Sequence, residues 1–198
     1  MTVTFQFDDT ENVTVTDETV ETRASNRIEF SVAGSLTITD ALLGKFEGAT
    51  LNPVRVTIAS SDSEAVPIDL TGQASLRLEN VDVGVATPDG ADVAAGLDGL
   101  RPTAEDGPES LDSPPDVLSF TVEGVIRDVP RETLEAIDGH SPSVESLTFA
   151  VEESVRSDGG RRTDVVVELG VLGYGIVVRR DGTIVVGSGG PLASVGLF

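Results

Sequence analysis

The sequence predicts a mainly β, β-rich α+β protein, with two similar strand-helix-strand-strand halves forming a pseudo-symmetric sandwich or paired sub-domains. Three features of its 198 residues carry this expectation. Apolar runs are short, alternate with polar residues and favour Val, Ile, Thr and Phe, as half-buried strands do. Two short segments instead show helical spacing between a capping residue and a glycine. One pattern also recurs about 90 residues later.

In chain order, Val3-Phe5-Phe7 and Val13-Val15 alternate on either side of Asp8 to Asn12, which reads as a hairpin. Ile28-Phe30-Val32 continues through Gly34-Leu36-Ile38 with a period of two, so one face of a single long strand carries the apolar set. Thr39-Asp40 then offers an N-cap before Ala41-Leu42-Leu43, and Gly48 a stop. Further strands follow at Val54-Val56-Ile58, Ile68-Leu70 and Leu76-Leu78. In the second half, Asp128 or Pro130 precedes a helix containing Thr133-Leu134, with Gly139 as its stop. Leu43 with Phe46, and Leu134 with Ile137, stand three apart and give each helix an apolar face. Both helices span about two turns, below the ~12 residues that stand alone in water, so they must pack on a sheet. Near the end, the runs at 175–180 and 183–186 flank Asp181-Gly182, a tight-turn signal.

The repeat aligns Ile28 with Leu118, Phe30 with Phe120, Val32 with Val122, Gly34 with Gly124 and Leu36 with Ile126 at a spacing of 90. One inserted residue later, Leu43 aligns with Leu134, Phe46 with Ile137 and Gly48 with Gly139, and residues 55–59 align with 146–150. Between the halves, Ala86 to Asp116 is rich in Pro, Gly, Asp and Glu and buries too little apolar surface to offset ordering entropy. A second loop is expected at Ser154 to Asp164. The expected organisation is 1–86, an N-terminal β-rich repeat; 87–116, an acidic Pro/Gly-rich linker or long loop; and 117–198, a C-terminal β-rich repeat with an apolar tail.

Composition limits the chemistry. No cysteine is present, which excludes disulfides, thiolate metal sites and thiol catalysis. Against 34 Asp and Glu stand 13 Lys and Arg, a formal net charge of -21, and Lys45 is the only lysine. Such a surface repels itself at low ionic strength and is screened in molar salt, where the Debye length falls to ~3 Å. Acidic excess without lysine, few aromatics and abundant Val, Thr, Ala and Gly resemble proteins of salt-in halophiles. The opening residues lack a basic stretch followed by an apolar run, and 165–178 is too short for a bilayer, so a soluble, cytoplasmic protein with no membrane partner is expected.

Direct nucleic-acid binding is disfavoured, because phosphates are held by cations and the basic features are only two pairs, Arg161-Arg162 and Arg179-Arg180. His140 is the single histidine, in a loop whose nearby Ser141 and Ser143 suggest neighbours rather than a triad. The run Gly170 to Gly175 lacks the Lys-Ser/Thr of a phosphate-binding loop and the glycine spacing of a dinucleotide fold, so it reads as a strand bulge or a close backbone approach. Asp89 to Asp92 and Asp98-Gly99 lack the register of a calcium loop. Catalytic residues and cofactors are therefore not expected, and a metal site is undetermined. The apolar tail after Gly187, with Leu192, Val195, Leu197 and Phe198, is the expected interaction segment. The functional expectation is a non-enzymatic assembly or protein–protein interaction protein of a halophile, through a protein partner or self-association. The alternative is a small-ligand or divalent-cation-binding module using acidic loops.

Overall fold

The computed structural model describes residues 1–7, 12–60, 63–85, 117–137, 141–153 and 164–188. Among them the order is β1 (Thr2–Gln6), β2 (Val13–Arg23), β3 (Arg27–Thr37), α1 (Asp40–Phe46), β4 (Ala49–Ser60), β5 (Ser63–Asp69) and β6 (Ser75–Val85). Then follow β7 (Val117–Arg127), α2 (Arg131–Ile137), β8 (Pro142–Glu153), β9 (Val165–Val171), β10 (Tyr174–Arg179) and β11 (Ile184–Ser188). The protein is mainly β, as expected.

The strands form two antiparallel sheets. The larger has seven strands in the order β1-β8-β4-β11-β10-β9, with β5 also on β4, and the smaller has four in the order β2-β3-β7-β6. Strands from both halves of the chain stand in each sheet. One edge of β4 serves two partners: β11 lies against Thr50 and Leu51, and β5 against residues 55–60. Pro53 falls at this changeover beside a bulge, where a strand loses least from a missing N–H.

The main core lies between the sheets because each strand presents alternate residues to it. Val20, Ile28, Val32, Leu76 and Leu78 come from the small sheet, and Val56, Ile58, Ile68 and Val144 from the large one. Ile28, Ile58 and Ile126 are completely buried. A second cluster gathers Phe46, Leu51, Phe149 and Val186, with Phe5 edge-on to Phe149 at 5.6 Å between ring centroids.

The helices pack as their spacing predicts. Thr39 caps α1, its Oγ1 accepting from the Leu42 N–H at 3.2 Å, and Leu43 and Phe46 are buried. Gly48 ends it with φ of 71°, in the left-handed region that favours glycine. At α2 the Pro130 carbonyl accepts from Thr133 and Leu134, and Ile137 turns inward.

β3 and β7 pair with Val32 opposite Val122, and β4 and β8 with Val56 opposite Leu147. A bulge on β2 lies between Val15 and Asp17, opposite Gly34, and one on β6 between Leu78 and Asn80, opposite Gly124. Gly34 and Gly124 admit close neighbours. A Cβ on Gly34 would overlap the Thr14 carbonyl oxygen and lie 3.1 Å from the Phe120 ring, and one on Gly124 would lie 2.6 Å from the Phe30 ring. In the large sheet, the Val54 carbonyl accepts from the Leu70 N–H, and the Glu145 carbonyl from the Phe7 N–H, each at 2.8 Å.

Two local expectations are corrected. Val3-Phe5-Phe7 and Val13-Val15 do form strands, but not a hairpin: β1 pairs with β8 in the large sheet and β2 with β3 in the small one. Alternation reports which face is buried, not which strand lies alongside. The Gly170 to Gly175 run is a two-residue hairpin turn rather than a bulge, with Leu172 at φ 53° and Gly173 at φ 83° between the paired Val171 and Tyr174. Two consecutive positive φ values suit the twist of a hairpin, and glycine removes the steric cost at one of them.

Candidate functional site

The interaction residues expected from sequence, Leu192, Val195, Leu197 and Phe198, lie outside the described residues, as do His140, Arg161-Arg162, the 87–116 segment and the Asp89 to Gly99 loops. Among the described residues, no group of three or more His, Cys, Asp or Glu side chains is placed to hold a metal ion. No helix there is long and apolar enough to cross a membrane. The described surface offers two other features.

The first is the outer edge of β9. Among the described residues this strand pairs only with β10, so one row of its backbone N–H and C=O groups has no strand hydrogen-bonded to it. The turn at Leu172-Gly173 makes Val171 and Tyr174 a hydrogen-bonded pair, and alternation does the same for Leu169 with Ile176 and Val167 with Val178. The N–H groups of Glu168 and Gly170 therefore point away from β10. Three other edges carry guards against further pairing: β2 has Asp17, Glu18, Glu21 and Arg23, β5 has Pro67 and Asp69, and β6 has Arg77, Glu79 and Asp82, whereas the edge strand β1 carries no charge but is only 5 residues long. β9, Val-Val-Val-Glu-Leu-Gly-Val, has only Glu168.

The second is a cleft of about 520 Å³ lined by Ser75, Leu76, Arg77, Arg127, Asp164, Arg180 and Asp181. Ser75 to Arg77 begin β6, and Arg127 ends β7 opposite Ser75. Arg180 and Asp181 form the turn between β10 and β11, closed by the Gly182 N–H on the Arg179 carbonyl and the Arg179 N–H on the Thr183 carbonyl, both 2.9 Å. That turn is bolted to the edge of β6, because the Arg180 carbonyl accepts from the Leu78 N–H at 2.6 Å. It is also tied to the start of β9, the Arg180 N–H donating to the Asp164 carbonyl at 2.7 Å. Gly182, at φ 80°, lets the turn settle on Leu76, whose Cδ2 would stand 2.7 Å from an added Cβ.

The electrostatics of the cleft set it apart. Three arginines meet there in a chain of net charge -21, and the two aspartates beside them leave one net positive charge. Asp181 already accepts from the Thr183 N–H at 3.0 Å. The Nε of Arg127 is buried with no hydrogen-bond partner. Ion pairs among the described residues lie elsewhere, joining Arg23 to Glu21 and Glu29, and Arg131 to Glu135. In the sequence Arg179-Arg180 reads as an isolated pair. What the sequence does not show is the register that brings residues 77, 127 and 180 together.

A further carboxylate links the sheets. Glu18 of β2 reaches the backbone N–H of Val144 in β8, and burial pushes its carboxyl above the ordinary value while that bond pulls it down.

The sequence matches no family model, no curated protein and no solved structure.

Proposed function

We propose that the chain is a non-enzymatic interaction protein that receives a partner strand, from another protein or a second copy of itself, along the outer edge of β9. The observation that supports this is an edge strand of 7 residues with a single charge, where β2 and β5 carry several charges or a proline and the uncharged edge β1 is only 5 residues long. Main-chain hydrogen bonds would supply the affinity of such an addition, and the alternating side chains its specificity. The apolar segment with Leu192, Val195, Leu197 and Phe198 is a second contact in this reading. Among the described residues no observation favours the cation-binding alternative.

The same reading extends to architecture. We take β1-β2-β3-α1-β4 and β5-β6-β7-α2-β8 as two copies of one unit about an approximate two-fold axis, with β9 to β11 as an addition outside it. At a spacing of 63, Phe5 corresponds to Ile68, Phe7 to Leu70, Val13 to Leu76 and Val15 to Leu78. The spacing grows to 90 across the 86–116 segment, so Gly34 and Gly124, and Val32 and Val122, correspond. Support comes from the matching bulges on β2 and β6, the reciprocal approach of Phe30 to Gly124 and Phe120 to Gly34, and the twin hydrogen bonds from Phe7 and Leu70. In this arrangement the copies exchange first strands, since β1 pairs with β8 and β5 with β4. The division then falls between residues 60 and 63.

The solvent this surface suits is a salt-rich cytoplasm, because the -21 charge is met by few cations. Molar mass by light scattering in about 3 M KCl tests the interaction reading. A discrete oligomer, or a complex with a partner strand, that is lost in Glu168→Pro places the contact on β9. Loss only on removing residues 191–198 moves it to the tail, and a monomer that captures no partner ends the proposal.

A further inference from the structure

We propose that the cleft between β6, β7 and the β10–β11 turn is a binding site for the carboxylate of a small organic acid, held by Arg77, Arg127 and Arg180. The inference is independent of strand addition at β9. It begins from the buried, unpartnered Nε of Arg127: a guanidinium presents five N–H donors in a planar fork matched to two oxygens, and burying such a donor without an acceptor is costly. The Nε of Arg127 is in that condition, although the chain carries 34 carboxylates that could have been placed beside it.

The two copies of the repeat sharpen the point. Under the correspondence above, Arg77 matches Thr14, Arg127 matches Thr37 and Ser75 matches Asn12, so the equivalent place in the first copy has no charge. The arginines occur only where the β10–β11 turn is bolted on and contributes Arg180. A purely structural role shared by both copies would not need charge on one side alone.

Charge decides between oxyanions. Asp164 and Asp181 line the same cleft, and three cations against two anions leave one positive charge. A single carboxylate neutralises it, whereas a phosphate dianion leaves an excess negative charge in an already acidic molecule. Leu76 supplies an apolar wall for a short aliphatic stem.

The test is a titration of the full chain with potassium butyrate exchanged for KCl at constant ionic strength, following the arginine Nε–Hε resonances. The expected result is a saturable shift of the Arg127 resonance, weakened roughly tenfold or more in Arg77→Gln and in Arg180→Gln. Arg77 is exposed, so its variant tests the site without disturbing the fold, and circular dichroism checks Arg180→Gln for folding. Shifts that never saturate, or saturate equally in both variants, overturn the proposal. Inorganic phosphate saturating the same resonance at lower concentration overturns the carboxylate assignment.

Discussion

Gly34 and Gly124 each stand opposite a bulge, yet they differ in what a methyl group would meet. At Gly34 the obstacle is the backbone oxygen of Thr14, whereas at Gly124 the nearest atoms belong to the Phe30 ring, which can turn. Overpacking costs about 1–3 kcal/mol where neighbours can adjust and more where they cannot. Gly34→Ala is therefore expected to lower stability by more than Gly124→Ala, as read from denaturant midpoints. Glu18 offers a test of sign. Its folded pKa is raised from the ordinary 4.5, first by burial, so the native state favours the protonated acid. The stability this group contributes is present below the unfolded value and lost as pH rises through the folded one. Glu18→Gln, which keeps an acceptor for the Val144 N–H, is expected to raise the neutral-pH Tm by about a few degrees and to have no effect well below pH 4.5. A variant less stable at neutral pH would mean that the charge itself holds the sheets together.

At the scale of elements, β9 and the β10–β11 turn carry the functional argument. Glu168→Pro removes an N–H that faces away from β10 and leaves the β9–β10 ladder intact, so proline is tolerated there as on other edges. The variant is expected to keep its circular dichroism spectrum while losing any strand-mediated association. Leu169→Pro is its control, because that N–H faces Ile176; it should damage the fold itself. The short helices illustrate how local signals and packing share the work. Thr39 and Gly48 mark the ends of α1 in the sequence, but only the burial of Leu43 and Phe46 keeps seven residues helical.

At the scale of the whole molecule, unbalanced charge and long-range strand pairing govern stability. The described ion pairs are three exposed contacts of two arginines, weakened by solvent screening, so they do not offset a net charge of -21. The unfolding midpoint is expected to climb between about 0.2 and 3 M KCl as repulsion is screened. A flat profile would remove the halophile reading. Because β1 lies on β8 and β5 on β4, neither proposed copy is complete alone. One cooperative thermal transition is expected, and a fragment of residues 1–60 should remain unfolded by circular dichroism.

The mainly β class, the long strand through Ile28 and Val32, both helices, the cap of α1 and the turn at Asp181-Gly182 were legible in the sequence, because each depends on spacing and conformational preference within a few residues. The pairings of β1 with β8 and β5 with β4 were not, since alternation specifies a buried face and leaves the neighbour open. The arginine cleft was hidden for the same reason: Arg77, Arg127 and Arg180 are far apart in the chain, and only sheet register and the docking of the Arg180 carbonyl on Leu78 bring them together. Local chemistry thus set the elements and the charge, while long-range backbone hydrogen bonds decided which side chains share a site.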